Sequence, residues 1–385
     1  MIRPLLIAAG AATTLLVALL MAELWARWTY GTALPAPIRP NEVELPAELV
    51  EPDLVLGRRF RANASKLIES AHGEFVALYQ INDIHLRGYG LVDPGSRPPY
   101  VIVLGDSFVE GWGVMSDSIF VKDIERRLRK MEDMHYRTRL FNAGMTGYGA
   151  AQSYLLGRRL LESLDPDVVV FVYTSLMPVA DHRFLAGAEM DAEGLALRAA
   201  SANESPASTA QETRFILDRS TLFKVLRINW EARTAREAVE PGDPKTDLFA
   251  ATRGTRETIA RLHQHSLKHV AALAAMAEAR GLPFIFIHIP LPHQVSMDEW
   301  ADGRAAYGFE ARDYAAPDIE IVEAFCTRLE LDCIMAAPLL RKLAERSSSP
   351  VYFRYDHTLT TIGHHALADH LLNKIAAALR KTREN

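Results

Sequence analysis

Three stretches of this chain are apolar almost from end to end: "YVIVLG" from Tyr100, "VVVFVY" from Val168 and "FIFI" from Phe284. A strand with one face in water alternates apolar and polar residues. None of these does, so a sheet built from them must be covered on both faces. Helical patterns separate them: "SDSIFVKDIERRLRKM" at 116–131, "GAAQSYLLGRRLLESL" at 149–164, and a long one over about 254–280 that stops at Gly281. "YRTRLFNAG" and "LDCIMA" add two strands, and "TIGHHALADHLLNKIAAALR" adds a last amphipathic helix. Strands alternating with helices through right-handed crossovers predict an α/β fold, a three-layer α/β/α sandwich with a parallel central sheet.

The first strand runs into "GDSFVEGWGV", which sets Ser107 at the carboxyl end of a buried strand. Open α/β sheets bind their ligands at that end. The glycines around it (Gly105, Gly111, Gly113) also suit a tight strand-to-helix turn, so the local sequence leaves open whether Ser107 is a nucleophile or a small turn residue. The second strand ends in "FNAGMTGYGAAQ".

Together, "GDSFxxGxGV" and "NAGxxGYG" resemble the first two motif blocks of the SGNH or GDSL hydrolase superfamily. The resemblance extends over most of 99–380, and is to its bacterial membrane-anchored lipase, esterase or acylhydrolase branch. It implies a flavodoxin-like SGNH fold, Ser107 as nucleophile, and an oxyanion hole from the backbone N–H groups of Ser107 and Gly144. The family's last block pairs an aspartate with a histidine. In "RYDHTLTTIGHH" the resemblance puts Asp356 at the aspartate position and Thr358 at the histidine position, so His357, one residue early, is expected to be the base and Asp356 to orient it. The third block's asparagine is also missing: Leu176 stands there, with the hydroxyls of Thr174 and Ser175 close by and expected to bond backbone. Asp106 is expected to brace the site loops, His364 to open the last helix without acting as base, and His365 to lie at the surface. Asp181–His182 is expected in a solvated loop.

Ahead of the sheet, residues 4–22 carry no charge, lie between Arg3 and Glu23, and are followed by two tryptophans. As a helix they would rise about 28 Å, near the roughly 30 Å of a bilayer's hydrocarbon core. The expectation is an uncleaved signal anchor, with a cleaved signal peptide as the rival reading. It carries a localisation with it: a single-pass bacterial inner-membrane protein, its catalytic domain exported to the periplasm. The domain plan is then a transmembrane helix over 1–30, a proline-rich stalk and small lead-in over 31–98, and the sandwich over 99–381 with an irregular insertion at about 181–250.

The net charge of −5 and the lack of a basic tract give no support for a nucleic-acid partner. Cys326 and Cys333 are too few for a disulfide scaffold, and either a disulfide or two buried thiols fits them. His265 and His269 have the i,i+4 spacing of a metal pair but no third ligand, so with His263 they are read as surface residues, and no cofactor or metal is expected. The expected function is a serine esterase or acyl hydrolase acting through a Ser107 acyl-enzyme on an ester-bearing envelope lipid or acylated glycan. The alternatives are an O-acyltransferase of polysaccharide modification, and a catalytically impaired SGNH-fold binding protein.

Overall fold

The structure is a computed structural model that describes residues 2–30, 45–70, 73–88, 90, 98–134, 137–199, 220–223, 225–226, 230, 233, 239–309 and 316–384. The chain divides into two compact units, one of 1–39 with 204–238 and one of 40–203 with 239–385.

In the first unit a helix spans Ile2–Tyr30. Its Glu23 pairs with Arg27 at 2.7 Å and accepts hydrogen bonds from Ser220 Oγ and from the N–H groups of Thr221 and Leu222. Among the described residues no helix is long and apolar enough to cross a membrane. This overturns the expected transmembrane anchor, the membrane as a partner, and the inner-membrane location with a periplasmic domain. The side chains described in this helix run over 13–29, about 26 Å of rise, and include the Glu23–Arg27 pair. Envelope substrates were expected only because of the tether, so that expectation goes with it.

The second unit opens with two antiparallel hairpins, β1 (Val50–Asp53) with β2 (Gly57–Phe60) and β3 (Ser65–Glu69) with β4 (Val76–Gln80). The central sheet follows: β5 (Tyr100–Gly105), β6 (Arg139–Gly144), β7 (Val168–Tyr173), β10 (Phe284–His288) and β11 (Asp332–Met335). β8 (Glu189–Met190) and β9 (Ala196–Arg198) form a separate short hairpin. The five central strands are parallel in the order β11-β10-β7-β5-β6. The chain therefore starts at β5, steps outward to β6, then returns to the other side of β5. That reversal creates the crevice in which doubly wound sheets hold ligands. Every residue of β7 is buried, which is why its sequence shows no alternation. Helices Phe120–Leu128 and Thr361–Glu384 pack together as one layer, and Ala150–Ser163, Arg256–Glu278 and Pro317–Arg328 form the other. Cys326 and Cys333, left open by the sequence, are joined in a disulfide with Cα atoms 6.1 Å apart.

Three expectations drawn from polarity alone need correction. Asp181 is not solvated: it is fully buried, accepts from the N–H groups of Ala150 (3.1 Å) and Ala151 (2.8 Å), and so caps the Ala150–Ser163 helix from outside. His263 and His269 are likewise buried, because positions 259, 262, 263, 266, 267, 269, 270 and 273 form one inward stripe at helical spacing. His263 Nδ1 lies 2.9 Å from the Tyr173 hydroxyl, and the N–H of Ala196 donates to His269 Nε2 at 3.1 Å. Asp181→Ala strips the cap from a buried helix end and is expected to destabilise the unit by about 2 kcal/mol, read by urea denaturation. A shift below about 0.5 kcal/mol would mean that the cap is dispensable.

Candidate functional site

β5 ends at Gly105, where a Cβ would lie 2.3 Å from the Val109 side chain, so nothing larger fits between the strand and the turn that follows. Asp106 caps that turn. Its Oδ1 accepts from Phe108 N–H at 3.0 Å and its Oδ2 from the Thr174 hydroxyl, while burial pushes its carboxyl up to about 6. Ser107 then begins a one-turn helix, Ser107–Glu110, which Gly111 closes at φ +78°. Ser107 is 4% exposed, and among the described residues its hydroxyl makes no hydrogen bond.

Strand β6 runs beside β5, with Gly144 opposite Gly105. Asn142 ties the two together: its Nδ2 donates to Val109 O at 2.6 Å and its Oδ1 accepts from Gly144 N–H at 3.2 Å. The Gly144 N–H is thus already engaged. Three residues on, Gly147 has φ +79°, and among the described residues its N–H has no hydrogen-bond partner. Arg58 Nη2 donates to the carbonyl of the preceding Thr146 at 2.8 Å. Gly147 was not among the expected site residues, although it is the second glycine of "NAGxxGYG".

At the end of β7 the Thr174 and Ser175 hydroxyls bond carboxylates, Asp106 and Asp318, instead of the backbone expected for them. Asp318 also accepts from Gln294 Nε2 at 2.7 Å. Leu176 is buried, and its N–H lies 3.3 Å from Thr174 Oγ1.

The last loop reaches the Ser107 turn through Trp112, whose Nε1 donates to Asp356 Oδ2 at 2.9 Å. The Thr358 hydroxyl lies 3.4 Å from the Trp112 carbonyl. His357 packs elsewhere, its ring edge-on to Phe249 with centroids 5.8 Å apart and its Nδ1 4.0 Å from Asp356 Oδ1. That carboxylate is at the limit of ion-pair range. Burial pushes the imidazole's pKa down to about 4. No hydrogen bond joins Ser107 to His357 among the described residues. His364 stacks on Phe120 and burial lowers it to about 3, while His365 is half-exposed and lies 2.9 Å from Asp123 Oδ2. No group of three or more His, Cys, Asp or Glu among the described residues is arranged to hold a metal ion.

No family model and no curated protein matches this chain. Solved structures resemble it at low identity over most of its length. An acetyl xylan esterase, AlAXEase, is 13% identical with a TM-score of 0.39, over 72% of this chain and 99% of that one. A GDSL-like lipase from Bacteroides thetaiotaomicron VPI-5482 is 13% identical with a TM-score of 0.37, over 76% and 92%. A catalytic mutant of an acetylxylan esterase from Geobacillus stearothermophilus is 10% identical with a TM-score of 0.37, over 74% and 96%. Likeness of this degree describes arrangement, and no activity is carried across from it.

Proposed function

We propose that the chain is a serine ester hydrolase of SGNH type. One observation carries the reading: an uncommitted serine hydroxyl begins a capped turn at the carboxyl end of β5, where the strand order reverses. Ser107 Oγ attacks an ester carbonyl, the alcohol leaves, and water releases the acyl group. Backbone N–H groups of Ser107 and Gly144 hold the developing oxyanion, the latter turning to it from Asn142 Oδ1, and the Gly147 N–H, without a partner among the described residues, is the next donor along the same loop. His357 takes the serine proton with Asp356 orienting it. Burial keeps that imidazole in its neutral, proton-accepting form at pH 7. To act, the ring must leave Phe249 and turn toward Ser107.

A second reading, ligand binding without turnover, is favoured by the Thr358 hydroxyl, which faces the Trp112 carbonyl while His357 packs on Phe249. A fluorophosphonate probe separates the two. Under the hydrolase reading the wild type labels, Ser107→Ala does not, and His357→Ala labels at least about tenfold more slowly. A wild type that resists the probe and does not cleave p-nitrophenyl acetate removes the hydrolase reading and leaves the binding one.

A further inference from the structure

The segment ahead of the sheet carries no chemistry of its own in the sequence, yet it touches both the Ser107 turn and the Asp356–His357 loop. We propose that Glu74 and Arg87 are positioning residues: through them the β3–β4 hairpin and the chain just after it hold the Ser107 turn and the Asp356–His357 loop in one register. The catalytic meaning of this rests on the hydrolase reading, whereas the coupling of the two loops does not.

Arg87 is almost completely buried. Its Nη1 donates to the carbonyls of Glu110 (2.7 Å) and Gly111 (2.6 Å), and its Nη2 donates to Val114 O at 2.6 Å. Gly111 and Gly113, at φ +78° and +79°, carry the chain out of helical geometry and turn these carbonyls toward Arg87, although Gly111 O also accepts from Val114 N–H at 3.0 Å. One planar guanidinium satisfies all three, a task for which an ammonium has the wrong shape. The group lies 3.6 Å over the Tyr79 ring, from β4, and its charge faces the buried Glu110 carboxylate. The Arg87 backbone also forms an antiparallel bridge to Asn142, the residue that ties β6 to the Ser107 turn.

Glu74 does the complementary task. Its carboxylate accepts from the backbone N–H groups of Arg354, Tyr355 (3.1 Å) and Asp356 (3.2 Å). Phe75, the next residue, packs between the two loops, with ring centroids 6.0 Å from Trp112 and 5.1 Å from Phe353. Gly113 leaves room for this contact, since a Cβ there would lie 2.7 Å from Phe75 and 2.8 Å from Phe353. The Trp112–Asp356 hydrogen bond closes the circuit.

The test is Glu74→Gln with Glu74→Asp as the conservative control, and Arg87→Met with Arg87→Lys. Two readouts are used on the full chain: amide hydrogen exchange and the rate of fluorophosphonate labelling. Glu74→Gln is expected to speed exchange at 354–356 at least tenfold, and also at 112–114, which Glu74 does not touch. Labelling should slow at least tenfold, with Glu74→Asp restoring part of both. Arg87→Met should give the mirror image, with remote loosening at 354–356. Should Arg87→Met fail to fold, the half-buried Glu74 pair still decides. Faster exchange confined to 354–356, with labelling unchanged, overturns the proposal. If the wild type does not label, the hydrolase reading fails and the exchange at 112–114 alone decides whether the loops are coupled.

Discussion

Between pH 7 and pH 4 the unit built on the parallel sheet is expected to lose several kcal/mol of stability. Burial pushes His269, His288 and His357 down to about 4 and His364 to about 3, and it lowers His182, His263 and His293. Among the described residues the ring nitrogens of His288, His293 and His364 have no hydrogen-bond partner, so protonation places a bare charge in the interior. Unfolded, these rings titrate near 6.5, so between there and about 4 the unfolded chain binds more protons than the folded one. Their contribution is therefore complete above about 6.5 and disappears as pH falls toward 4. Four carboxyls act in the opposite sense. Burial raises Asp106 and Asp181 to about 6 and also raises Glu74 and Glu110, so their contribution is greatest in acid and declines as pH rises. A shift of 2.5 units is worth about 3 kcal/mol. The large shifts of His269, His288, His357 and His364 outweigh those of the carboxyls, which leaves a net loss in acid on the order of several kcal/mol. Urea midpoints at pH 7, 5.5 and 4.5 should fall steadily, and His364→Phe should flatten the slope. A midpoint that stays level or rises on acidification would contradict this account.

The sheet was legible in the sequence because burial on both faces writes an unbroken apolar run, and β5, β7 and β10 are such runs. The position of Ser107 was legible for the same reason, since it lies two residues past the end of the first of them. The frame around it was not. Glu74 meets residues 354–356, and Arg87 meets 110–114, each through one polar side chain that leaves no periodic trace. The same limit applies at the last loop: adjacent residues point apart there, Thr358 toward Trp112 and His357 toward Phe249, so position in a motif does not fix which way a side chain faces. His263 and His269 were misread for a different reason. Their polarity outweighed their place on the helix's inward stripe, although the spacing was visible. The N-terminal segment was read from its uncharged length and the tryptophans after it, and among the described residues no helix is long and apolar enough to cross a membrane, which sets that reading aside.

Gly144→Ala is expected to damage both stability and the site. A Cβ on Gly144 would lie 2.3 Å from Glu110 N, 2.6 Å from Val109 Cβ and 2.8 Å from Asp106 O. Two of those atoms are backbone, so no rotamer change relieves the overlap, and overpacking of this kind costs about 3 kcal/mol. The atoms pushed aside belong to the Ser107 turn itself, where Asp106 O accepts from Val109 N–H at 3.1 Å and Glu110 N–H at 2.9 Å. Moving that turn moves the nucleophile relative to the N–H groups proposed to face the oxyanion, and a displacement near 1 Å at a reacting centre costs about a hundredfold in rate. Gly147→Ala is the control. Its φ of +79° costs about 1–2 kcal/mol for a non-glycine residue, but its Cβ would meet only the far end of Arg58, at 2.4 Å, and that side chain can swing away. Urea unfolding and the rate of phosphonate labelling should therefore rank wild type above Gly147→Ala above Gly144→Ala. Equal behaviour of the two variants would mean that the β6 end does not set the position of Ser107.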